Sequence, residues 1–200
     1  PTPVIEKGRV YLHFGSYGTA CLDTETAATL WSRRDLPCDH WRRPGSSPIL
    51  FENLLIVHYD GFDHQYVVAL DKRTGKSVWK TDRDIDYGTD NGDLMKAYGT
   101  PIVIQVGDEL QLISPSAKAT LAYNPRTGEQ LWKLRYPEHS VAVRPMFRGG
   151  LLYVNTGFSP AQLLAVRPAG RGDITDTHVA WRSRRRVPSM PSQLLVGDSI

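Results

Sequence analysis

Three clusters of residue types in this chain could do chemistry. The first is TDRDIDYGTDNGDLMKA at 81–97, where Asp82, Asp84 and Asp86 stand at alternate positions. Carboxylates spaced in this way open a calcium loop, in which oxygens at positions one, three and five face the ion. The rest of that pattern is absent. Tyr87 stands at position six, where a glycine makes the turn, Gly88 comes one residue late, and Asp93 stands at twelve. Asp, Asn and Gly also dominate ordinary turns. No metal is therefore expected, and Asp82, Asp84 and Asp86 are the residues with which a calcium site would have to start. The second cluster is RRDLPCDHWRRPGSS at 33–47, with four arginines, Asp39, His40 and Trp41. Guanidinium forks suit anionic ligands, with His40 and Arg42 on the rim and Trp41 as a stacking floor. A solvated loop of arginine–aspartate pairs, with Trp41 tucked over a strand end, accounts for the same residues. The third holds the histidines. His13 and His58 occupy one slot in successive strand patterns, RVYLHF and LLIVHY. Two histidines in register could share a zinc ion, but no third ligand is predictable, and ordinary hydrogen bonds at strand ends are the expectation. His64, with Asp60 and Asp63 in YDGFDHQY, makes a polar rim on a turn. The run RSRRR at 182–186 reads as a solvated link.

Other chemistries leave no trace. The chain has no Gly-rich phosphate loop, no HExxH, no GxSxG and no CxxC. A net charge of +3 is too slight for a nucleic-acid partner. No run approaches the roughly 20 apolar residues of a membrane-spanning helix. Of the two cysteines, Cys21 is expected to be packed and Cys38 free in a loop; a disulfide between them would need the loop folded back.

The residues above sit in a repeating frame. Trp31, Trp79, Trp132 and Trp181 close four related phrases: CLDTETAATLW, ALDKRTGKSVW, AYNPRTGEQLW, and a fourth that starts AVR at Ala165 and carries six extra residues. A period of about 45–53 residues marks a stacked or radial repeat fold. Each phrase follows a Ser/Thr/Arg-Pro pair, a short apolar run, a turn and a β-rich run: RVYLHF at 9–14, LLIVHY at 54–59, LQLIS at 110–114 and LLYVN at 151–155. Each unit thus reads as four short strands, and no segment keeps a helical period. Cys21, Ala69, Ala122 and Ala165 share a slot that takes small apolar side chains. The tryptophans are expected to fill the space between sheets. Asp23, Asp71 and Asn124 are expected to cap the following turn, and Gly75 and Gly128 to supply its positive φ. Ala27 replaces that glycine in the first unit, which predicts an altered or strained turn, and Arg167 replaces the Asp in the fourth.

The pattern in 66–79 and its copies resembles the pyrroloquinoline quinone (PQQ) repeat of quinoprotein alcohol dehydrogenases and of BamB-like scaffold proteins. That resemblance implies an all-β propeller of four-stranded antiparallel blades. The units fall at about 1–46, 47–99, 100–143, 144–192 and an incomplete 193–200, read as four blades and the start of a fifth in a ring of seven or eight. The remaining blades of a parent chain would then be neighbours. The resemblance does not imply the cofactor. Quinoprotein dehydrogenases carry adjacent cysteines and calcium carboxylates that find no match here. The expected function is a non-catalytic binding or assembly scaffold for a protein, peptide or glycan, extracytoplasmic by resemblance; the alternative is a PQQ- and calcium-dependent oxidoreductase acting on alcohols or sugars. The long links at 32–46, 80–99, 133–143 and 182–192 place any binding site on the face that carries them, with Arg42, His40, Trp41, Asp60, His64 and Asp86 as candidates.

Overall fold

The structure, a computed structural model, describes residues 1–158, 160–194 and 196–197. Four antiparallel sheets follow one another along the chain. The first is β1 (Val4–Glu6), β2 (Arg9–His13), β3 (Thr19–Asp23) and β4 (Thr29–Arg33). The second is β5 (Ile49–Phe51), β6 (Leu54–Asp60), β7 (Gln65–Asp71) and β8 (Ser77–Asp82). The third is β9 (Ile102–Val106), β10 (Glu109–Pro115), β11 (Ala119–Tyr123) and β12 (Gln130–Arg135). The fourth is β13 (Met146–Arg148), β14 (Leu151–Asn155), β15 (Leu163–Val166) and β17 (Val179–Ser183). The only helical pieces among the described residues are single 3-10 turns at Gly15–Tyr17 and Gly92–Leu94. None is long and apolar enough to cross a membrane. The start of the expected fifth unit lies partly outside the described residues.

Three apolar clusters join consecutive sheets face to face. Tyr11, Cys21 and Trp31 pack with Leu55, Val57 and Leu70. Ile56, Ala69 and Trp79 pack with Leu112, Leu121 and Tyr123. Ile113, Ala122 and Trp132 pack with Leu152, Val154 and Val166. The sheets are therefore blades of a propeller, each burying alternate side chains against its neighbour. The middle blades are covered on both faces, so every residue of β6 is buried.

The repeat phrase builds these interfaces. Its small residue lies directly across from its tryptophan in every blade: Cys21 from Trp31, Ala69 from Trp79, Ala122 from Trp132 and Ala165 from Trp181. The register shifts at that point in all four, a β-bulge that turns the tryptophan toward the next blade. Trp31 Nε1 donates to the Lys72 carbonyl at 3.0 Å, and Trp79 Nε1 to the Pro125 carbonyl at 3.1 Å. Gly75 and Gly128 have φ of 73° and 75°. A Cβ on either would meet the preceding blade's tryptophan at 2.6 and 2.5 Å, so backbone freedom and space both demand glycine there. Asp23, Asp71 and Asn124 accept backbone N–H bonds from their turns as expected.

Ala27 holds the left-handed φ of 58° that strains an alanine, as expected, while its N–H bonds the Asp23 carbonyl as Gly75 bonds Asp71, so the form of the turn is kept. Two expectations need correction. Trp181 fills no interface; it is 44% exposed beside Tyr153, because no further sheet among the described residues covers it. Trp132 fills its interface as expected, but its hydrogen bond reaches the next blade indirectly: its Nε1 donates to Gln111 Oε1 at 2.9 Å, and Gln111 Nε2 donates to the Pro168 carbonyl at 3.0 Å. The third blade has five strands. The insertion in the fourth phrase forms β16 (Gly172–Asp173), which pairs parallel with the outer edge of β12.

At the inner ends, the Ser/Thr-Pro residues are linked around a rim. Thr2 N donates to Ser47 Oγ at 2.7 Å, Ser47 N to Thr100 Oγ1 at 3.0 Å, and Arg144 N to Ser192 Oγ at 3.2 Å. Together with Pro3, Pro48 and Ala142 they line an open cavity of about 540 Å³.

Candidate functional site

Antiparallel order puts the inter-blade links and the turns between second and third strands on one face. Backbone bonds knit these loops into a continuous surface. Phe62 N, in the β6–β7 turn, donates to Asp39 O in the first link at 2.7 Å. Tyr98 N donates to Val141 O at 2.7 Å, Lys118 N to Glu138 O at 2.9 Å, and Phe158 N to His139 O at 2.8 Å. A rigid frame of this kind is what a binding surface on loops requires.

Beneath the loops lies a buried polar layer. Arg83 forks onto Asp60 with both bonds at 2.7 Å, and its remaining nitrogen donates to Ser114 Oγ at 2.6 Å. Ser114 Oγ also lies 2.9 Å from His58 Nε2, and Ser116 Oγ donates to Asp60 at 3.0 Å. In the first blade His13 Nδ1 is 2.9 Å from Thr19 Oγ1, which is 3.2 Å from the Tyr59 hydroxyl. Tyr59 stacks on Tyr66 at 4.7 Å. Toward the fourth blade Gln162 Nε2 donates to Glu138 at 2.6 Å. Burial holds the imidazoles neutral. His13 is lowered to about 3 by burial and then by His40. His40 is lowered to about 4 by burial and then by Lys96. His58 is pushed well below its ordinary value by burial and then by Arg83. The ion pair survives here because it is bidentate and its spare donors and acceptors are hydrogen-bonded.

The candidates from sequence are scattered over this architecture. Asp60 is not on a rim; it is buried under Arg83. His40 is also buried rather than solvated, 6.0 Å from the Tyr59 ring. His64 is exposed, 3.7 Å from Asp63. Trp41 is 63% exposed, with the Arg42 guanidinium 4.6 Å over its ring and Phe62 edge-on at 6.2 Å. Arg42 also pairs with Asp93 at 2.7 Å. Asp82, Asp84 and Asp86 face apart: Asp82 pairs with Lys80, Asp84 with Lys133, and Asp86 caps Gly88 N. His13 and His58 bond hydroxyls and share no third ligand. Cys21 and Cys38 are both free, and Cys38 is buried rather than loose, its Sγ 3.6 Å from His64 O. Sequence reading missed Arg83, the centre of the polar layer, because Asp82 and Asp84 on either side drew attention to acids. It also missed Lys96, whose wholly buried ammonium lies 5.3 Å from the Tyr98 ring. Alternation is the signal that could have found Arg83, since flanking residues that face outward leave the middle one inward.

Among the described residues, those singled out from the sequence do not fit a bound quinone and calcium. A flat cofactor needs a free aromatic face, and Arg42 lies over Trp41. The acids that would hold calcium are splayed onto separate partners, and among the described residues no three ligand groups converge.

The family model for the outer membrane protein assembly factor BamB, a PQQ-repeat family, matches residues 63–199. The chain belongs to this family. Solved structures share the PQQ-repeat propeller. The quinohemoprotein alcohol dehydrogenase ADHIIG of Pseudomonas putida HK5 superposes with a TM-score of 0.62 at 14% identity, over 92% of this chain and 33% of its own. BamB of Moraxella catarrhalis superposes with a TM-score of 0.50 at 18% identity, over 97% of this chain and 66% of its own. A europium-containing methanol dehydrogenase gives 0.61 at 14% identity, over 91% of this chain and 41% of its own. The chain thus spans about a third of the quinohemoprotein enzyme. No curated protein sequence matches it.

Proposed function

We propose that this protein is a non-catalytic, extracytoplasmic scaffold that binds a partner protein on the link face of its propeller. One observation carries the reading. Of the six exposed aromatic side chains among the described residues, Phe14, Tyr17, Trp41, Phe62 and Phe158 lie in links or second turns of that face, Trp181 being the sixth. Rigid rings standing out from a fixed frame are what anchor protein interfaces. Below them Arg83, Asp60, Ser114, Ser116 and His58 are bonded to one another and hold the loops, whereas both ring nitrogens of His40 and the Lys96 ammonium make no hydrogen bond among the described residues. Membership in a family of assembly factors favours the same reading, as does the poor fit of the described residues to quinone and calcium.

The test has two arms. PQQ titrated into the protein with and without calcium, followed by absorbance and calorimetry, is expected to give no saturable binding at high micromolar cofactor; stoichiometric, calcium-dependent binding would overturn the proposal. In the second arm, partners captured from an envelope extract are compared between the protein and a Trp41→Ala/Phe62→Ala double variant. A bound partner is expected to lose about 2 kcal/mol or more of affinity on loss of central aromatic anchors. Retention by the variant at unchanged affinity counts against this face.

A further inference from the structure

The contact between β16 and β12 shows what an outer blade edge can accept. Gly172 lies opposite Trp132 and Asp173 opposite Lys133, in parallel pairing. Ile174 N donates to the Lys133 carbonyl at 2.9 Å, and Arg135 N donates to Thr175 Oγ1 at 2.9 Å. Arg135 Nε pairs with the Asp173 carboxylate at 2.7 Å. Ile174 is buried in one cluster with Leu131, the bulge residue that precedes the tryptophan. The receptor is therefore an apolar bulge residue, an outward carbonyl one residue after the tryptophan, and an arginine three residues after it. The added segment reads small, acidic, β-branched apolar, hydroxyl.

The other outer edges carry this receptor to different degrees. In β8 the bulge residue is Val78, but Asp82 stands where the arginine is needed. In β17 the bulge residue is only Ala180, and Arg184 is bonded to Gln162 at 3.0 Å. In β4 the bulge residue is Leu30, 45% exposed, and Arg34 stands exposed at the arginine position. Ala20 lies opposite Ser32 in the first blade as Leu121 lies opposite Lys133 in the third, so the Ser32 carbonyl points outward as Lys133's does. Among the described residues Ser32 makes no backbone hydrogen bond outside its own sheet.

We propose that the outer edge of β4 is a docking site for an extended acidic–apolar segment of a partner protein, added as a parallel fifth strand in the way β16 is added to β12. Backbone bonds supply the pairing. Leu30 gains the apolar cover that Leu131 already has, and Arg34 selects an acidic residue in the incoming segment. An uncovered edge strand with an exposed leucine is otherwise an aggregation hazard. The surface is separate from the link face, so it does not depend on the function proposed above.

A synthetic peptide with the sequence of residues 168–178 is the probe, labelled for fluorescence anisotropy and titrated into the protein. Saturable binding is expected, with amide shifts in the NMR spectrum centred on Ser32 and Arg34. Arg34→Glu is expected to weaken it several-fold, and to recover part of the loss when the peptide's first aspartate is replaced by lysine. Leu30→Ser should weaken binding without the charge rescue. Both residues are exposed, so the fold should tolerate either change, and far-ultraviolet circular dichroism checks this. Absence of saturable binding, shifts centred on Lys133 because the peptide displaces β16, or affinity indifferent to Arg34→Glu would each overturn the proposal.

Discussion

The tryptophans of the first two units do more for this fold than their area suggests, because each ties two blades by packing and by a hydrogen bond at once. Trp79 is buried, sits on Gly128 and donates to Pro125 O. Trp79→Ala removes the ring, leaves a cavity between the second and third blades and orphans a carbonyl. The expected loss is about 3–5 kcal/mol, measured by chemical denaturation; a loss below about 1 kcal/mol would contradict its burial. The same turn gives a prediction of opposite sign. Ala27 holds a left-handed φ of 58° in an exposed turn. A non-glycine residue pays about 1–2 kcal/mol to sit there, less the extra chain entropy of glycine. Ala27→Gly should therefore stabilise the protein by roughly 0.5–1 kcal/mol. Unchanged or lower stability would mean that the turn relaxes around the methyl group.

At the scale of elements, the insertion carrying β16 ties two blades that their tryptophan joins by packing but with no direct hydrogen bond. Ile174→Ala uncovers Leu131 and should cost about 2–5 kcal/mol. It should also speed hydrogen exchange at the Ile174 amide to the rate of a free loop. Protection unchanged from the parent would show that Arg135 and Asp173 hold the strand without the apolar contact. The contrast with the other strands explains what could be read in advance. RVYLHF, LLIVHY, LQLIS and LLYVN are β-branched or alternating runs with turn residues at both ends, and they become β2, β6, β10 and β14 within a residue or two. Their pattern is local, so the sequence carries it. Gly172–Asp173 has no strand propensity, and its pairing depends on a neighbouring blade about 40 residues earlier. The candidate site divides along the same line. Trp41 and Arg42 stood out as a loop cluster and do lie on the surface. Arg83 and Asp60 are 23 residues apart, and nothing in either segment announces the other. Phe14, Tyr17 and Phe158 gained meaning only when the topology gathered their turns on one face.

Across the whole molecule, the buried histidines make stability depend on pH in a window free of carboxylate effects. In the unfolded chain a histidine takes up a proton near pH 6.5. In the folded chain burial holds His13 down to about 3 and His40 down to about 4, and holds His58 well below its ordinary value. Between those limits the unfolded state binds more protons than the folded one, so stability rises with pH. The contribution is complete above about pH 6.5 and is lost progressively as the pH falls below it. Carboxylates such as Glu6, lowered mainly by its hydrogen bond from Lys72, act only further down, near and below the ordinary carboxylate range. Melting temperatures compared at about pH 7.5 and about pH 5 thus isolate the imidazoles. The protein should melt lower at the acid value, and His13→Asn should reduce that difference while lowering stability at both. The measurement reaches beyond the histidines themselves, because His13, His40 and His58 lie under the link face. A melting temperature that is flat or rises toward pH 5 would mean that protons and water reach this layer freely, and that the loops above it are not the rigid frame on which the aromatic surface depends.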